Sequence, residues 1–445
     1  MNSPLAGGKT RPLWMRSLGW LLLLGPFFFL SYGFANQQAA ARGTVASLFF
    51  AWERQIPFIP WTIVPYWSID LLYGLSFLLC RSPREIDRHA LRLLTAQLIS
   101  TACFLAFPLH FAFERPHVEG FFGTMFDALM GFDLPYNQAP SLHIGLLVII
   151  WARFAAHTAG FTRTLVHAWA MLIGLSVLTT YQHHFIDVPT GAAVGFLCLW
   201  LWPSEGPSPI WPLSFRPEKP RLRLATRYLL GALITAALSL RIGGTALWGL
   251  WLSLALLLIA AIYFSGNAAH GFQKRDGRHT LAASVLLAPY RLGARINAWL
   301  WTRRQPQPSD IGDGVWLGRH PGAQEFATAI SGGFAALLDL CPELAAPRSI
   351  GTCVSLPWLD LVAPTPQQLT DAAQAIESTR RHGPLLVCCA LGYSRSACAV
   401  AAWLYCTRRC PSIAAAIERV RACRPQVVLS EEHHQALHAL EAAAP

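Results

Sequence analysis

Long apolar runs dominate the first 265 positions of the chain. Stretches nearly free of charge have their cores at Leu18–Ala35, Pro60–Cys80, Leu93–Phe113, His143–Ala156, Leu165–Thr180, Val188–Trp202, Tyr228–Ile242 and Ala246–Phe264. A bilayer's hydrocarbon core, about 30 Å thick, is crossed by about 20 apolar residues in a helix. The runs therefore predict about eight transmembrane helices. Gly and Pro inside them are compatible with that, because neighbouring helices satisfy the freed backbone. After Gln305 the pattern changes to short apolar runs alternating with amphipathic stretches, which predicts strands and helices of a soluble α/β domain. The expected architecture is an all-α polytopic membrane bundle followed by that domain. Its divisions are a bundle over 1–203, a Pro-rich basic linker with a two-helix hairpin over 204–265, a juxtamembrane linker over 266–308 and the α/β domain over 309–445. Within the juxtamembrane piece, Thr280–Arg304 mixes Leu, Trp and Arg, as an amphipathic helix at a membrane surface does or one packed on the next domain.

Composition agrees with a lipid-facing chain. Of its residues 53% are hydrophobic and only 13% charged, against about a quarter charged in soluble proteins. The net charge of +11 is spread between the apolar runs, so it reads as a topology signal and no nucleic-acid partner is expected. Basic stretches at the N-terminus, Arg81–Arg92, Arg153–Arg163, Arg216–Arg227 and Lys274–Arg278 alternate with poorer ones. The positive-inside rule then places both ends in the cytoplasm of a multi-pass inner-membrane protein, with the first run an anchor. Most of the 11 Cys lie from Cys341 onward, without paired metal spacing, which suits a reducing compartment. No metal or cofactor is expected.

The chemistry concentrates in Leu385-Leu386-Val387-Cys388-Cys389-Ala390-Leu391-Gly392-Tyr393-Ser394-Arg395-Ser396. A buried strand is predicted before it and an apolar helix after it. A loop at a helix N-terminus aims backbone N–H groups at an anion, and Gly392 allows the tight turn. The same positive field favours a Cys389 thiolate. Arg395 has the planar fork that clamps two phosphoryl oxygens, and Ser396 is placed to donate to a departing sulfur.

This segment resembles the signature of the protein tyrosine and dual-specificity phosphatase superfamily over about 130 residues. The resemblance implies a cysteine-phosphatase fold with Cys389 as nucleophile, Arg395 as phosphate clamp and Ser396 assisting breakdown of the intermediate. It implies that Ala390, Leu391, Gly392, Tyr393 and Ser394 bind phosphate. Asp360 in Leu356-Pro357-Trp358-Leu359-Asp360 resembles the family's general acid, with Asp339 and Asp371 as weaker candidates, and Arg424-Pro425 looks like its closing segment. Cys388 stands where the family usually has His, so the loop's tuning or redox sensitivity is expected to differ. The uncharged Ala390, Leu391 and Tyr393 point to a monophosphorylated group, on a protein or on a lipid such as phosphatidylglycerol phosphate.

Two further pieces sit at predicted outer helix ends, Pro140-Ser141-Leu142-His143 and His183-His184-Phe185-Ile186-Asp187. Asp187 follows His183 by four residues, so a helix would bring them together and let the carboxylate orient the imidazole. Polar groups at membrane depth are costly and read as functional. These pieces resemble the type 2 phosphatidic acid phosphatase superfamily, closest to its branch with sphingomyelin and inositol phosphorylceramide synthases, over about Pro60–Pro203. That resemblance implies His183 as nucleophile, Asp187 as its partner, His143 as acid and Arg115 as a phosphate ligand. Pro108 and Val177 stand where the family has Lys and Arg.

The expected function is thus a membrane-bound phosphatase: a cytoplasmic cysteine-dependent phosphomonoesterase joined to an outward-facing lipid phosphatase-like site. Two alternatives stay open for the membrane half: a lipid headgroup phosphotransferase, and a non-catalytic anchor or receptor for the phosphatase. The expected partners are a phosphorylated protein or phospholipid substrate and the lipid bilayer.

Overall fold

Helices stand at all eight apolar runs, although their lengths divide them into two groups. A computed structural model describes residues 12–131, 133–210, 218–322, 325, 333–347 and 352–442. Among these, five helices are long and apolar enough to cross a membrane: Leu13–Ala40 (α1), Pro83–Ala106 (α3), Gly160–Thr179 (α6), Lys219–Ile242 (α8) and the stretch Gly244–Ser265, whose regular part is Gly249–Ser265 (α9). Ile63–Leu78 (α2), Leu142–Ala156 (α5) and Asp187–Leu201 (α7) have 16, 15 and 15 residues. At 1.5 Å per residue they reach about 24 Å or less, short of the hydrocarbon thickness. An amphipathic helix not anticipated from the pattern, Gly120–Met130 (α4), completes the set.

The third helix begins earlier than its apolar core because Ser82 caps it. The Ser82 hydroxyl accepts from the Glu85 N–H at 3.2 Å, and Pro83 takes the first position, where its missing N–H costs nothing. The helix stops at Ala106, and Pro108 keeps the chain from resuming it.

Two units pack separately, Met1–Gly206 and Pro207–Pro445. In the first, α5 and α7 approach through glycine. A Cβ on Gly191 would lie 2.4 Å from the Ser141 carbonyl oxygen, and one on Gly195 would lie 2.6 Å from Val148 Cβ. Small residues permit such close helix pairs. That contact brings the start of α5, with Ser141 and His143, beside the start of α7, with Asp187.

The second unit contains α8 and α9, a small hairpin of Lys274–Arg275 (β1) and Arg278–His279 (β2), and the helices Leu281–Leu286 (α10) and Ala288–Thr302 (α11). A five-stranded sheet follows, built from Ser309–Gly312 (β3), Val315–Arg319 (β4), Ala336–Asp339 (β5), Thr352–Ser355 (β6) and Leu385–Cys389 (β7), in the order β3-β4-β7-β5-β6. All but the β3–β4 pair are parallel. The central strand, β7, is buried at every residue, as a parallel strand covered on both faces requires. Helices Pro366–Thr379 (α12), Arg395–Cys406 (α13), Ile413–Cys423 (α14) and Glu431–Ala442 (α15) complete the domain. The first ten residues of α13 are all buried, which matches its apolar, alanine-rich sequence.

Candidate functional site

The central strand delivers Cys389 at its C-terminal end, where open α/β sheets place their ligands. The chain then turns through Ala390–Ser394 into α13. Gly392 has φ of +74°, and a Cβ there would lie 2.4 Å from the Gly318 carbonyl carbon, so both conformation and space demand glycine. The turn curls back on the sulfur. Cys389 Sγ accepts from the Gly392 N–H at 3.2 Å and from the Ser396 hydroxyl at 3.3 Å. The N–H groups of Leu391, Tyr393 and Ser394 have no acceptor among the described residues. A row of unpaired N–H groups at a helix start is an anion cradle.

Arg395 closes the cradle and is itself buried. Its Nη2 and Nη1 meet the two carboxylate oxygens of Glu343 at 2.6 and 3.1 Å, and Nη1 also donates to the Trp358 carbonyl at 3.1 Å. Asp360 Oδ1 lies 3.1 Å from Nη2. Nε is buried without a partner among the described residues, an unspent donor on the side chain best suited to a phosphoryl oxygen. The Asp360 side chain is 41% exposed, so its carboxyl is open to an incoming ester.

Glu343 was not singled out from sequence. Burial alone would push its carboxyl up, but Arg395 outweighs that and holds it below the ordinary carboxylate range. The loop that carries it is fixed from below by Lys274, whose Nζ donates to Asp339 Oδ2 at 2.5 Å, to the Cys341 carbonyl at 2.6 Å and to the Leu344 carbonyl. Lys274 comes from the hairpin inside the stretch read as a juxtamembrane linker. The available signals were an acid just after a strand's C-terminal end and a lysine in a polar turn, neither distinctive without the fold.

Two alternative acids drop out. Asp339 is fully buried between Lys274 and His320, whose Nε2 is 3.4 Å away. Burial opposes its charge, yet the Lys274 ammonium and the contact with His320 hold it well below the ordinary range, so it keeps its charge and carries no proton to give. Asp371 lies on the exposed side of α12, paired with Gln367 at 2.7 Å. Cys388 points to the opposite face of the sheet from Cys389, as neighbours in a strand must. It packs with Leu337 and Leu386, and burial pushes its thiol up. The closing segment supports the turn from outside: Arg424 Nε donates to the Gly392 carbonyl at 3.0 Å, and the Val428 N–H donates to the Tyr393 carbonyl at 3.1 Å.

In the first unit, Asp187 and His183 do meet, at 3.2 Å between Oδ2 and Nδ1, although no helix joins them. α7 starts only at Asp187. The pairing arises from a turn in which Asp187 Oδ2 also accepts the His184 N–H at 3.0 Å. His183 Nε2 lies 3.0 Å from the Ser141 hydroxyl, giving an Asp187–His183–Ser141 chain. His143 stacks on Tyr66 at 4.2 Å, and its Nε2 has no partner among the described residues. Both histidines line one cavity of about 280 Å³ with Tyr66, Asp70 and Asp133. His183 also borders a second cavity of about 180 Å³ with Arg115, Asn137, Gln138 and Tyr181. Arg115 donates to the carbonyls of Thr180 and Tyr181, each at 3.1 Å, and so braces the turn that carries His183.

Residues 316–443 match the sequence family described as dual specificity phosphatase, catalytic domain. Solved structures similar to this chain include human DUSP28, at 23% identity with a TM-score of 0.28, covering 31% of this chain and 95% of that one. Tk-PTP in its active form is 27% identical with a TM-score of 0.28, covering 32% and 99%. The human tyrosine phosphatase-like serine/threonine/tyrosine-interacting protein is 19% identical with a TM-score of 0.29, covering 31% and 98%. No curated protein matches the chain.

Proposed function

We propose that the cysteine-based phosphatase domain over residues 316–443 hydrolyses phosphomonoesters through a phosphocysteine on Cys389. The observation that carries this reading is the sulfur cradled by the Gly392 N–H and the Ser396 hydroxyl, with Arg395 and Asp360 at the mouth. The Cys389 thiolate attacks phosphorus, forming the S–P bond as the ester P–O bond breaks. Asp360, protonated, hands its proton to the leaving oxygen. The loop N–H groups and Arg395 hold the three equatorial oxygens as their charge redistributes. Water then attacks phosphorus, Asp360 takes its proton, and the S–P bond breaks. Ser396 donates to the departing sulfur, and phosphate leaves. The uncharged Ala390, Leu391 and Tyr393 favour a substrate with one phosphate group.

Asp360→Asn tests the division of roles. It is expected to lower kcat for p-nitrophenyl phosphate by about 10²–10³-fold and to flatten the basic limb of the pH profile. Both steps retain the cysteine, so label from a radioactive phosphate ester should be found on Cys389 after acid quench. An unlabelled protein under turnover would refute the covalent route.

A second reading concerns the membrane half. Its support is the Asp187–His183–Ser141 chain beside a cavity that also holds His143. In this reading His183 attacks a lipid phosphoryl group at the outer surface, Asp187 orients it and His143 protonates the leaving oxygen. Among the described residues lining the second cavity Arg115 is the one arginine or lysine, which suits a singly charged phosphodiester and hence headgroup transfer over monoester hydrolysis. His183→Ala in a Cys389→Ser background is expected to remove all remaining turnover of labelled phospholipid, about 10³-fold or more. Chromatography of the products separates free phosphate from a new phospholipid, and undiminished turnover would refute His183 as the nucleophile.

A further inference from the structure

Helix α11, Ala288–Thr302, packs the wrong way round for water. Its small residues face inward: Ala298 and, half-buried, Ala294 pack with Ala390, Leu391, Cys341 and Leu344, and Thr302 is buried. Its large apolar residues face out. Leu292, Ile296, Trp299, Leu300 and Trp301 are between 48% and 67% exposed, and Arg295, Arg303 and Arg304 are exposed among them. Arg303 lies over the Trp299 ring at 5.8 Å. In an α-helix positions 292, 295, 296, 299 and 303 share one side, so the outward face combines an apolar stripe with cations. Such a face is costly in water and favourable at an anionic bilayer surface.

The same helix touches the catalytic turn. The Tyr393 hydroxyl donates to the Trp301 carbonyl at 3.2 Å, while Ala390 and Leu391 rest on its inner face. The acid loop is likewise tied to an apolar helix of this unit. Tyr263 of α9, itself buried, donates its hydroxyl to the Asp360 carbonyl at 3.0 Å. Trp251 Nε1, also on α9, donates to the Val285 carbonyl of α10 at 3.0 Å. Tyr228 of α8 meets Tyr290 of α11 at 5.9 Å. The end of α8 beside this junction carries Lys219, Arg221, Arg223 and Arg227, and Arg221 donates to the Phe264 carbonyl at 3.3 Å. Both sides of the catalytic mouth are thus built on elements that suit lipid, with a basic collar around them.

We infer that this domain works at an anionic bilayer surface, with α11 as its docking element, and that its substrate is a phosphomonoester carried by a membrane lipid. The inference rests on the phosphocysteine reading above and narrows its substrate class. A soluble substrate gains nothing from the outward face of α11. A lipid phosphate in the same surface meets the cradle at a high effective concentration and in a restricted orientation.

The test uses the full chain in a His183→Ala background, so that the membrane half contributes no turnover, reconstituted in vesicles of phosphatidylcholine and phosphatidylglycerol. Phosphatidic acid in the bilayer and p-nitrophenyl phosphate in solution are the two substrates. Replacing Leu292, Ile296 and Trp299 together by Ser is expected to lower kcat/KM for phosphatidic acid by about tenfold or more. Turnover of p-nitrophenyl phosphate should stay within about twofold. Arg295→Gln with Arg303→Gln should give a smaller loss, seen only when phosphatidylglycerol is present. Lipid turnover unchanged in both variants overturns the inference, as does an equal loss on both substrates in both variants, since α11 then only braces the turn. Faster turnover of a soluble phosphotyrosine peptide than of phosphatidic acid by the parent also overturns it. A parent inactive on every substrate would instead remove the phosphocysteine reading on which the inference stands.

Discussion

Cys389→Ser is expected to abolish phosphomonoester hydrolysis by the C-terminal domain, a fall of about 10³-fold or more in kcat for p-nitrophenyl phosphate. A serine oxygen is a competent nucleophile only with a base beside it. The sulfur's hydrogen-bond neighbours are the Gly392 N–H and the Ser396 hydroxyl; both donate, and neither removes a proton. Among the described residues, this cradle offers thiolate chemistry and no base for a hydroxyl. The substitution is nearly isosteric at a buried position, so the melting temperature should move by no more than a few degrees, about 1 kcal/mol. The clean measurement is in the full chain with His183→Ala, where retained p-nitrophenol release with an unchanged melting curve would contradict the assigned nucleophile.

Glu343→Gln should produce the next largest effect, on stability and rate together. The Glu343 carboxylate meets the Arg395 fork at 2.6 and 3.1 Å, fully inside the domain. Neutralising one partner of a buried ion pair leaves the other uncompensated, at a cost of about 3–5 kcal/mol. Asp360, 3.1 Å from the same guanidinium, supplies a partly exposed substitute, which argues for the lower end, about 3 kcal/mol. That corresponds to a melting shift of about 6–12 °C for a unit of this size. Arg395 is then drawn toward Asp360 and away from the cradle, and a misplacement near 1 Å costs about 10²-fold in kcat/KM. Because Arg395 holds Glu343 below the ordinary carboxylate range, the parent's pair stabilises at neutral pH and fades as pH falls through that lowered value. The variant should lack that acid-dependent loss. Calorimetry from neutral to acid pH, with initial rates at each point, checks both parts; parent-like melting and rates would remove Glu343 from the account.

The turn around Cys389 was legible because its residues are neighbours along the chain. Cys389, Gly392, Arg395 and Ser396 lie within eight residues, and a strand–turn–helix sets their geometry whatever surrounds it. Asp360 was legible less directly, through likeness to a separate loop, and the fold brings it to 3.1 Å from Arg395. Asp339 shows the limit of such reasoning. In sequence it is an acid at a strand end, like a catalytic one, and only the arrival of Lys274 from 65 positions away makes it a permanent anion. Glu343 was invisible for the mirrored reason, since its partner lies 52 positions away. In the first unit the spacing of His183 and Asp187 correctly suggested contact, but the helix invoked for it does not exist there. The Ser141 contact needs the glycine-mediated approach of α5 and α7, which no local pattern reports.

By itself the sequence determined where the apolar helices lie, that an α/β domain follows them and which strand–turn–helix carries Cys389. Each of these depends on hydrophobic periodicity or on neighbours along the chain, which act over one or two turns of backbone. Tertiary structure alone decided that three of the helices fall short of the hydrocarbon thickness and which carboxylates pair with Arg395 and Lys274. It also decided that α11 turns its tryptophan and leucine residues outward while its alanines carry the catalytic turn. Those outcomes depend on which distant surfaces meet, and on the desolvation and charge pairing that follow from the meeting. Periodicity cannot encode them, because the same amphipathic pattern fits a helix facing a core or a bilayer.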